Sequence, residues 1–301
     1  MEKKTKASPP VNAPVNDEGA NKNNTNLQGK TTYGDVLPGT DIIQFSGAMF
    51  HVSDDFYSVI EKNKKNENVL VIMTTHGGYA EEAYRMMRDI QRAYKKITVM
   101  VVGDCYSAGT IFCLGANEII MGNHGELGPI DAQLQKEDDL MQMSGISYSE
   151  VIRYLTVTST MIFMQQFEQF KMRNKIPLST RTASSIAEKI TIGMLKPIFA
   201  QIEPVKLGEV VRAQNIGTGY STRLMVKNYQ QNEINLILAR LATSYPAHNT
   251  IIDFEEAKRL GLRVVELSKQ PYYDKFKKLE AEMRHPQPTP CIQNITEMPI
   301  A

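Results

Sequence analysis

The sequence lacks tryptophan and has only three cysteines, Cys105, Cys113 and Cys291. Three is an odd number, and their spacing is not that of metal ligands, so we expect free thiols rather than a disulfide framework or a zinc site. No apolar run approaches the roughly 20 residues that a membrane-spanning helix needs, and neither end has the apolar core of a secretory signal. We therefore expect a cytoplasmic protein without an integral membrane segment.

An excess of charge of one sign is also missing. The 301 residues carry 34 basic and 33 acidic side chains, so the formal net charge is only +1. Such a balance supplies no field that would attract nucleic acid or an anionic membrane surface, and we expect no nucleic-acid partner. The sequence has no nucleotide-binding loop and predicts no cofactor and no metal site. Any dependence on ATP would then require a separate unfoldase as a partner.

Large apolar residues are scarce at the beginning of the chain. Residues 1–34 are rich in Asn, Lys, Pro and Gly, which predicts a disordered N-terminal tail because little surface could be buried. Residues 285–301 hold four prolines and are predicted to form a flexible C-terminal tail. The folded domain is then expected at residues 35–284, which is enough chain for a substantial core.

Strand and helix patterns alternate within the folded domain. Continuous apolar runs at residues 69–75 and 97–103 predict buried strands, and each run is followed by a helical pattern. Alternation of this kind predicts an α/β fold with a mostly parallel sheet. From about residue 138 to residue 242 the strand signals give way to long helical segments, which predicts a helical insertion.

A serine between small residues follows the second of these strands, in the segment GDCYSAGT. Ser107 is expected at a sharp turn where a helix begins, which is the setting that exposes a nucleophilic hydroxyl. The N–H group of Ala108 would point to the place where negative charge develops on a substrate. The same pattern also fits the plain packing of a strand, a turn and a helix. The stricter G-x-S-x-G motif is not met, because Cys105 stands at its first position.

A glycine turn follows the preceding strand, in the segment MTTHGGYAEEA. Gly77 and Gly78 tolerate backbone angles that other residues avoid, so their N–H groups can face a ligand. The carboxyl ends of neighbouring parallel strands meet at one edge of a sheet, so this turn and the serine turn should converge. The two glycines and Ala108 are therefore predicted to form an oxyanion hole.

Four motifs in order resemble the Clp-protease/crotonase superfamily. Within it the sequence is most similar to the serine dehydrogenase proteinase (SDH) family, which is related to signal peptide peptidase A. The motifs are TTHGGYAEEA, YSAGTIFCLGANEIIMG, ELGPIDAQ and HNTIIDFEEAKRLGL, and the resemblance extends from about residue 41 to residue 267. It implies a spiral of ββα units and the hydrolysis of peptide bonds through an acyl-enzyme on Ser107. It also implies peptides or unfolded proteins as substrates, and a homo-oligomer.

The resemblance further implies a catalytic triad of Ser107, Asp131 and His248. Asp131 stands about where Clp-type peptidases have a histidine, and His248 stands near the place of their aspartate. This exchange matches the chain order described for the SDH family. His248 would take the proton of the serine hydroxyl, and Asp131 would orient the imidazole. Asp131 also suits the N-cap of a following helix, and His248 suits a loop residue that caps the next helix.

Other residues compete for the role of general base. His76 stands where relatives usually carry proline in the glycine turn, and it either shapes the substrate cleft or acts as the base. A serine–lysine dyad, as in signal peptide peptidases, is the second mechanism. Lysine needs desolvation to act as a base, however, and no candidate lies in an apolar run suited to that. The candidates are Lys136, Lys175, Lys189 and Lys196.

Two other functions fit the same superfamily. A crotonase-type enzyme would hold the enolate of an acyl-CoA thioester with the same paired N–H donors. The Ser-Ala-Gly helix and the lack of a basic, aromatic adenine-binding cluster argue against it. A non-catalytic oligomeric scaffold would explain the unusual His76. A serine peptidase is the predicted function.

Overall fold

Strands and helices alternate in the first half of the chain. The computed structural model describes residues 31–130, 133–134, 143–172, 178–245 and 250–300. The first elements are α1 (Tyr33–Val36), β1 (Thr40–Ser46), α2 (Ser53–Asn63), β2 (Asn68–Thr75), α3 (Ala80–Ala93), β3 (Lys96–Cys105), α4 (Ala108–Cys113), β4 (Glu118–Met121) and β5 (Glu126–Leu127). This alternation confirms the predicted α/β fold class.

Helices dominate the second half of the chain. The elements that follow are β6 (Gln133–Leu134), β7 (Met143–Ser144), α5 (Gly145–Met172), α6 (Thr180–Phe199), α7 (Pro204–Met225), α8 (Gln231–Thr243), α9 (Phe254–Leu260), β8 (Val264–Glu266), α10 (Tyr273–Glu282) and β9 (Cys291–Asn294). Helices α5 to α8 occupy the range for which an insertion is predicted. Within the described residues, no helix combines the length and apolar character that crossing a membrane requires.

Seven strands form one mostly parallel sheet. Their order is β8, β4, β3, β2, β1 and β9, and β5 pairs with the end of β3. Every pair in this sheet is parallel except β1 with β9. Central parallel strands are covered on both faces, which explains why β2 and β3 are continuous apolar runs in the sequence.

The two faces of the sheet pack into two separate apolar clusters. Val71 of β2 belongs to the cluster that contains Phe56 of α2 and Met87 of α3. Its neighbour Ile72 belongs to the cluster that contains Phe276 of α10. Successive side chains of a strand point to opposite faces, so one apolar run serves both clusters. This arrangement fixes β2 and β3, whose carboxyl ends carry the glycine turn and the serine turn.

The C-terminal segment belongs to the sheet, which corrects the prediction of a flexible tail at residues 285–301. Strand β9 pairs antiparallel with β1 and covers the edge that β1 would otherwise expose. Beyond β9, Ile295 is buried, and its N–H donates to the carbonyl of Ile42 at 2.8 Å. The prediction gave too much weight to the prolines, which lie on either side of the strand and leave Cys291–Asn294 free to pair.

The N-terminal boundary also differs from the prediction. Residues 1–30, which make up most of the predicted tail, lie outside the described residues. The compact unit begins at Thr31 rather than at residue 35. The Thr32 hydroxyl caps α1 by accepting the N–H of Asp35 at 3.2 Å, and Tyr33 is buried. Residues 31–34 therefore belong to the folded domain.

Candidate active site

Ser107 lies where β3 ends and α4 begins. Its backbone has φ 51° and ψ −111°, a region that residues with a side chain avoid. Hydrogen bonds fix the turn: Tyr106 N–H donates to the carbonyl of Thr75 at 3.0 Å, and Gly109 N–H donates to the carbonyl of Tyr106 at 2.9 Å. Backbone strain of this kind costs about 1–3 kcal/mol and persists only where neighbours enforce it. In hydrolases a strained strand-to-helix turn exposes the nucleophilic hydroxyl.

The glycine turn after β2 meets the serine turn, as the shared sheet edge predicts. Gly77 has φ 102° and Gly78 has φ 151°, angles that L-residues with a side chain rarely adopt. A Cβ on Gly77 would lie 2.9 Å from the Cβ of Ser107 and 3.3 Å from the nitrogen of Ala108. The structure therefore brings Gly77, Ser107 and Ala108 into contact.

Two N–H groups at this junction make no hydrogen bond within the described residues. The N–H of Gly77 donates to the hydroxyl of Thr75 at 2.9 Å, so it is engaged within the chain. The N–H groups of Gly78 and Ala108 donate to no acceptor in the described part of the chain. Of the three residues predicted for an oxyanion hole, Gly78 and Ala108 thus have unbonded N–H groups, and Gly77 makes the close contact with Ser107. The oxyanion hole stays a prediction.

His76 precedes the glycines and binds Asp104 at the end of β3. Its Nε2 lies 3.1 Å from Oδ2 of Asp104, and Nδ1 of His285 lies 3.1 Å from the same oxygen. The His76 ring stacks on Tyr106 with 6.2 Å between ring centroids. Both imidazoles are largely exposed, whereas the side chain of Asp104 is only 16% exposed. One carboxylate therefore holds both histidines beside the serine turn.

The ionisation of Asp104 is favoured by these contacts. Burial alone would raise its pKa, but hydrogen bonds from His285 and His76 outweigh burial and hold the pKa of Asp104 below its usual value. The Tyr106 hydroxyl donates to Oδ1 of Asp104 at 3.2 Å and also contacts Glu126. Burial and the bond to Glu126 raise the pKa of Tyr106, so the phenol keeps its proton. The residue before Ser107 is therefore fixed by two carboxylates.

Sequence reasoning missed Asp104 and His285. Asp104 had a usable signal, because it is a carboxylate at the carboxyl end of a buried parallel strand, where ligand sites gather. His285 had no such signal. It lies 181 residues from Asp104 along the chain and inside the segment predicted to be flexible.

Asp131 lies outside the described residues, but the chain that leads to it is fixed against α4. The hydroxyl of Thr110 donates to the carbonyl of Gly128 at 2.8 Å and accepts the N–H of Gly128 at 3.1 Å. Thr110 is three residues beyond Ser107 and lies in α4, the short helix that begins directly after the serine. The approach to Asp131 is therefore anchored close to the serine turn.

His248 also lies outside the described residues, and the chain on both sides of it is anchored. After it, Ile252 and Leu127 exchange two backbone hydrogen bonds of 2.9 Å each, which joins this segment to β5. Before it, the hydroxyl of Tyr245 donates to the carboxylate of Glu256 at 2.9 Å. The role of His248 in a triad stays a prediction.

The lysines considered for a dyad divide into two groups. Lys189 and Lys196 are exposed on α6, so they lack the desolvation that a lysine base requires. Lys136 and Lys175 lie outside the described residues. Among the residues that the structure describes, no group of three or more His, Cys, Asp or Glu side chains is arranged to hold a metal ion.

Several solved structures are similar to this chain. One is a serine-to-alanine mutant of the 1510-N membrane-bound stomatin-specific protease, with 19% identity over 50% of this chain and 68% of that one, at a TM-score of 0.31. A lysine-to-alanine mutant of that protease, in complex with a substrate peptide, has 18% identity over 50% of this chain and 64% of that one, at a TM-score of 0.32. A peptidase from Plasmodium falciparum has 11% identity over 49% of this chain and 84% of that one, at a TM-score of 0.28. No curated protein sequence matches the chain.

The family is shown by the sequence itself. The profile of the ClpP-like SDH-type serine proteinases matches residues 39–191. This match spans half of the chain and includes the glycine turn, the serine turn and the strands that carry them. The chain therefore belongs to the ClpP-like SDH-type serine proteinases and is a serine peptidase.

Proposed function

We propose that the protein hydrolyses peptide bonds through an acyl-enzyme on Ser107. The observation that carries this proposal is the strained backbone of Ser107, with φ 51°, packed directly against Gly77. The serine hydroxyl would attack the scissile carbonyl, and the N–H groups of Gly78 and Ala108 would hold the negative charge that develops on its oxygen. Each donor of such a pair contributes on the order of 3 kcal/mol to transition-state stabilisation.

For the general base we propose His248, oriented by Asp131. The neighbouring described residues support this choice, because Gly128 is bonded to Thr110 of α4 and Ile252 is bonded to Leu127 of β5. A neutral imidazole would accept the serine proton and pass it to the leaving amine, while Asp131 stabilises the imidazolium. His76 is the competing base, because Asp104 is bonded to its Nε2 at 3.1 Å and its Nδ1 has no partner among the described residues.

Labelling with a fluorophosphonate tests the nucleophile. The wild-type protein should be labelled at Ser107, as located by mass spectrometry of the modified peptide. Ser107→Ala should lose the label and should lower the turnover of unfolded casein by roughly 10⁴-fold or more. Labelling that survives this substitution would overturn the proposal.

Histidine variants test the base. His248→Ala and Asp131→Ala should each lower kcat by roughly 10⁴-fold, because the proton of Ser107 would have no acceptor of fixed orientation. His124→Ala is the matched control, since His124 is an exposed loop residue. The kcat/KM of the wild type should rise with pH through an ordinary imidazole pKa of about 6.5. Full activity of His248→Ala, with activity lost in His76→Ala, would move the base to His76.

We also propose a homo-oligomer that assembles through α5 and α6. These two helices expose many large apolar side chains: Val151, Tyr154, Val157, Met161, Met164, Met172, Ile192, Met194, Ile198 and Phe199. Monomeric proteins rarely expose apolar surface of this extent, and a second copy of the chain would cover it. The substrates would be peptides or unfolded proteins, and folded substrates would require a separate unfoldase.

We also propose a cytoplasmic location for the protein. Cys105 and Cys113 are buried free thiols whose sulfur atoms lie only 3.6 Å apart. The hydrogen bond to Cys113 and burial raise the pKa of the Cys105 thiol, so it stays protonated. A cytoplasmic location predicts that both thiols stay reduced, because the cytoplasm is a reducing compartment. Cell fractionation with detection of the protein in the cytoplasmic fraction tests this location.

A further inference from the structure

The C-terminal segment crosses the edge of the sheet that carries the serine and glycine turns. We refer to residues 284–290 as the C-terminal strap. At the end of β1, the N–H of Gln287 donates to the buried hydroxyl of Ser46 at 3.0 Å. At the end of β3, the N–H of Asp104 donates to the carbonyl of Arg284 at 3.3 Å. The strap is therefore bonded to the strands on either side of β2, whose carboxyl end leads into the glycine turn.

His285 of the C-terminal strap contacts the active site through Asp104. Its Nδ1 lies 3.1 Å from Oδ2 of Asp104, the oxygen that also lies 3.1 Å from Nε2 of His76. The other oxygen of the carboxylate accepts the hydroxyl of Tyr106 at 3.2 Å. His76 is the last residue before the paired glycines, and Tyr106 is the last residue before the nucleophilic serine. One carboxylate thus contacts the residue that precedes each of the two turns.

These contacts keep the Asp104 carboxylate ionised. Its side chain is only 16% exposed, and burial alone would raise its pKa. Hydrogen bonds from His285 and His76 outweigh burial and hold the pKa of Asp104 below its usual value. An ionised carboxylate accepts hydrogen bonds on both oxygens, whereas a protonated one loses acceptor capacity. His285 therefore supports the bonds that Asp104 makes to Tyr106 and His76.

We infer that His285 and Asp104 are positioning residues for acyl transfer at Ser107. Asp104 sets the spacing between the glycine turn and the serine turn, because it binds the residue before each of them. His285 acts through Asp104, although the two are 181 positions apart in the chain. Catalysis depends on this spacing, since a displacement of about 1 Å is enough to cost a large part of the rate. This inference rests on the proposed function, because it concerns the reaction of the same serine.

Active-site titration combined with kinetics tests the inference. A fluorophosphonate, allowed to react to completion, counts the folded and reactive serines, and kcat for a fluorogenic peptide is expressed per labelled serine. His285→Ala should lower this kcat about tenfold and leave KM unchanged, because only the transition state loses stabilisation. A role in folding alone would reduce the labelled fraction and leave kcat per labelled serine at the wild-type value, which would overturn the inference.

Two further variants in the C-terminal strap are matched to His285→Ala. His285→Asn keeps an N–H donor near the position of Nδ1, so its kcat should stay within about twofold of the wild type. Thr289→Ala removes an exposed side chain that forms no hydrogen bond or ion pair within the described residues, and its kcat should equal that of the wild type. A loss in either variant as large as that in His285→Ala would contradict the role of the bond from His285 to Asp104.

A double variant tests whether His285 acts through Asp104. Asp104→Ala should lower kcat per labelled serine about 100-fold, because the residues before both turns lose their shared partner. Adding His285→Ala to Asp104→Ala should lower kcat no further, since residues that act as a unit do not have additive effects. A double variant whose loss equals the product of the two single losses would contradict the inference.

The outcomes separate the inference from the function beneath it. If the fluorophosphonate does not label the wild type at Ser107, the proposed function fails. If the wild type is labelled and His285→Ala keeps the wild-type kcat per labelled serine, the inference alone fails. If Asp104→Ala does not fold and is not labelled, the comparison of His285→Ala with His285→Asn decides, because both variants retain Asp104.

Discussion

The central sheet buries its apolar side chains, whereas helices α5 and α6 leave many of theirs exposed. On β2, every side chain from Val69 to Thr75 is buried. On α5, Met161 is 65% exposed and Met172 is 81% exposed. The sheet that carries the serine and glycine turns therefore completes its packing within one chain, whereas α5 and α6 leave apolar surface uncovered. The proposed catalysis and the proposed assembly therefore depend on different parts of the sequence, and each proposal can be tested by substitutions that leave the other region unchanged.

The largest effect should come from adding one methyl group to the glycine turn, at Gly78. Gly78→Ala would place a Cβ 2.4 Å from the carbonyl oxygen of Met49, at a φ of 151° that alanine does not adopt comfortably. We expect the free energy of unfolding to fall by about 3 kcal/mol or more, with loss of fluorophosphonate labelling. Urea denaturation measures the change. Wild-type stability in this variant would show that the turn is not as closely packed as described.

Charges placed on the α5 surface should break assembly without unfolding the chain. The double variant Met161→Glu, Met164→Glu would bury two unpaired carboxylates at the proposed contact, so we expect the dissociation constant to rise roughly 100-fold. Light scattering over a dilution series measures this change. Met298→Glu, an equally simple change at a 46% exposed methionine outside α5 and α6, is the control. An equal rise in the dissociation constant for both changes would contradict the proposal that assembly depends on the α5 surface.

Removing the charge of Glu82 should lower the free energy of unfolding by an amount that depends on pH. Burial would raise the pKa of Glu82, but hydrogen bonds from Ser53 and Val52 at the start of α2 and the charge of Arg85 outweigh burial and hold the pKa below its usual value. A lowered pKa means that the ionised group stabilises the fold at pH values above the unfolded-state pKa of about 4.3. This stabilisation disappears as the pH falls through the pKa of the folded state.

Glu82→Gln should therefore lower the free energy of unfolding at pH 7 by about 1–2 kcal/mol. The variant should also lose stability less steeply than the wild type below pH 5 or so. Urea denaturation at several pH values measures both effects. Glu81→Gln is the matched control, because Glu81 precedes it in the first turn of α3 and forms no hydrogen bond or ion pair within the described residues. A larger loss of stability in Glu81→Gln than in Glu82→Gln would contradict the role of Glu82 as a cap on α2.

The smallest effect should have the opposite sign and lie in the helical region. Gly193 lies inside α6, and a Cβ on it would meet nothing within 4 Å. Gly193→Ala should therefore raise the free energy of unfolding by about 0.5–1 kcal/mol, because alanine is the better helix former. Thermal melting compared with Gly78→Ala measures the contrast. Destabilisation at both positions would mean that α6 is packed as tightly as the sheet edge.

Central strands could be predicted from the sequence, and short edge strands could not. The buried strands β2 and β3 appear as continuous apolar runs because both of their faces are covered. β9 has four residues between prolines and no clear alternation, so nothing local marks it as a strand. It forms because the edge of β1 offers unpaired backbone groups, and that is a property of the folded sheet.

The parts of the site that lie at the ends of strands could be predicted from the sequence. The turns that carry Gly77 and Ser107 follow apolar runs, and the sheet rule brings them together. The contacts that fix these turns were not predictable, because they join distant parts of the chain. Glu82 looks in sequence like an ordinary acidic residue in the first turn of a helix, and its cap on α2 appears only in the structure. Asp131 and His248 were chosen by resemblance and stay predictions.

The pairing of β9 with β1 has a consequence for synthesis on the ribosome. The contact between the Ile42 N–H and the Thr296 hydroxyl joins residues that are 254 positions apart. Synthesis adds roughly 5–20 residues per second, so the outer edge of β1 would stay unpaired for on the order of 10–50 s before its partner strand is made. During that interval the nascent chain presents an open strand edge to neighbouring chains. The rate of translation, rather than the stability of the finished fold, then sets how long the growing protein is open to mispairing.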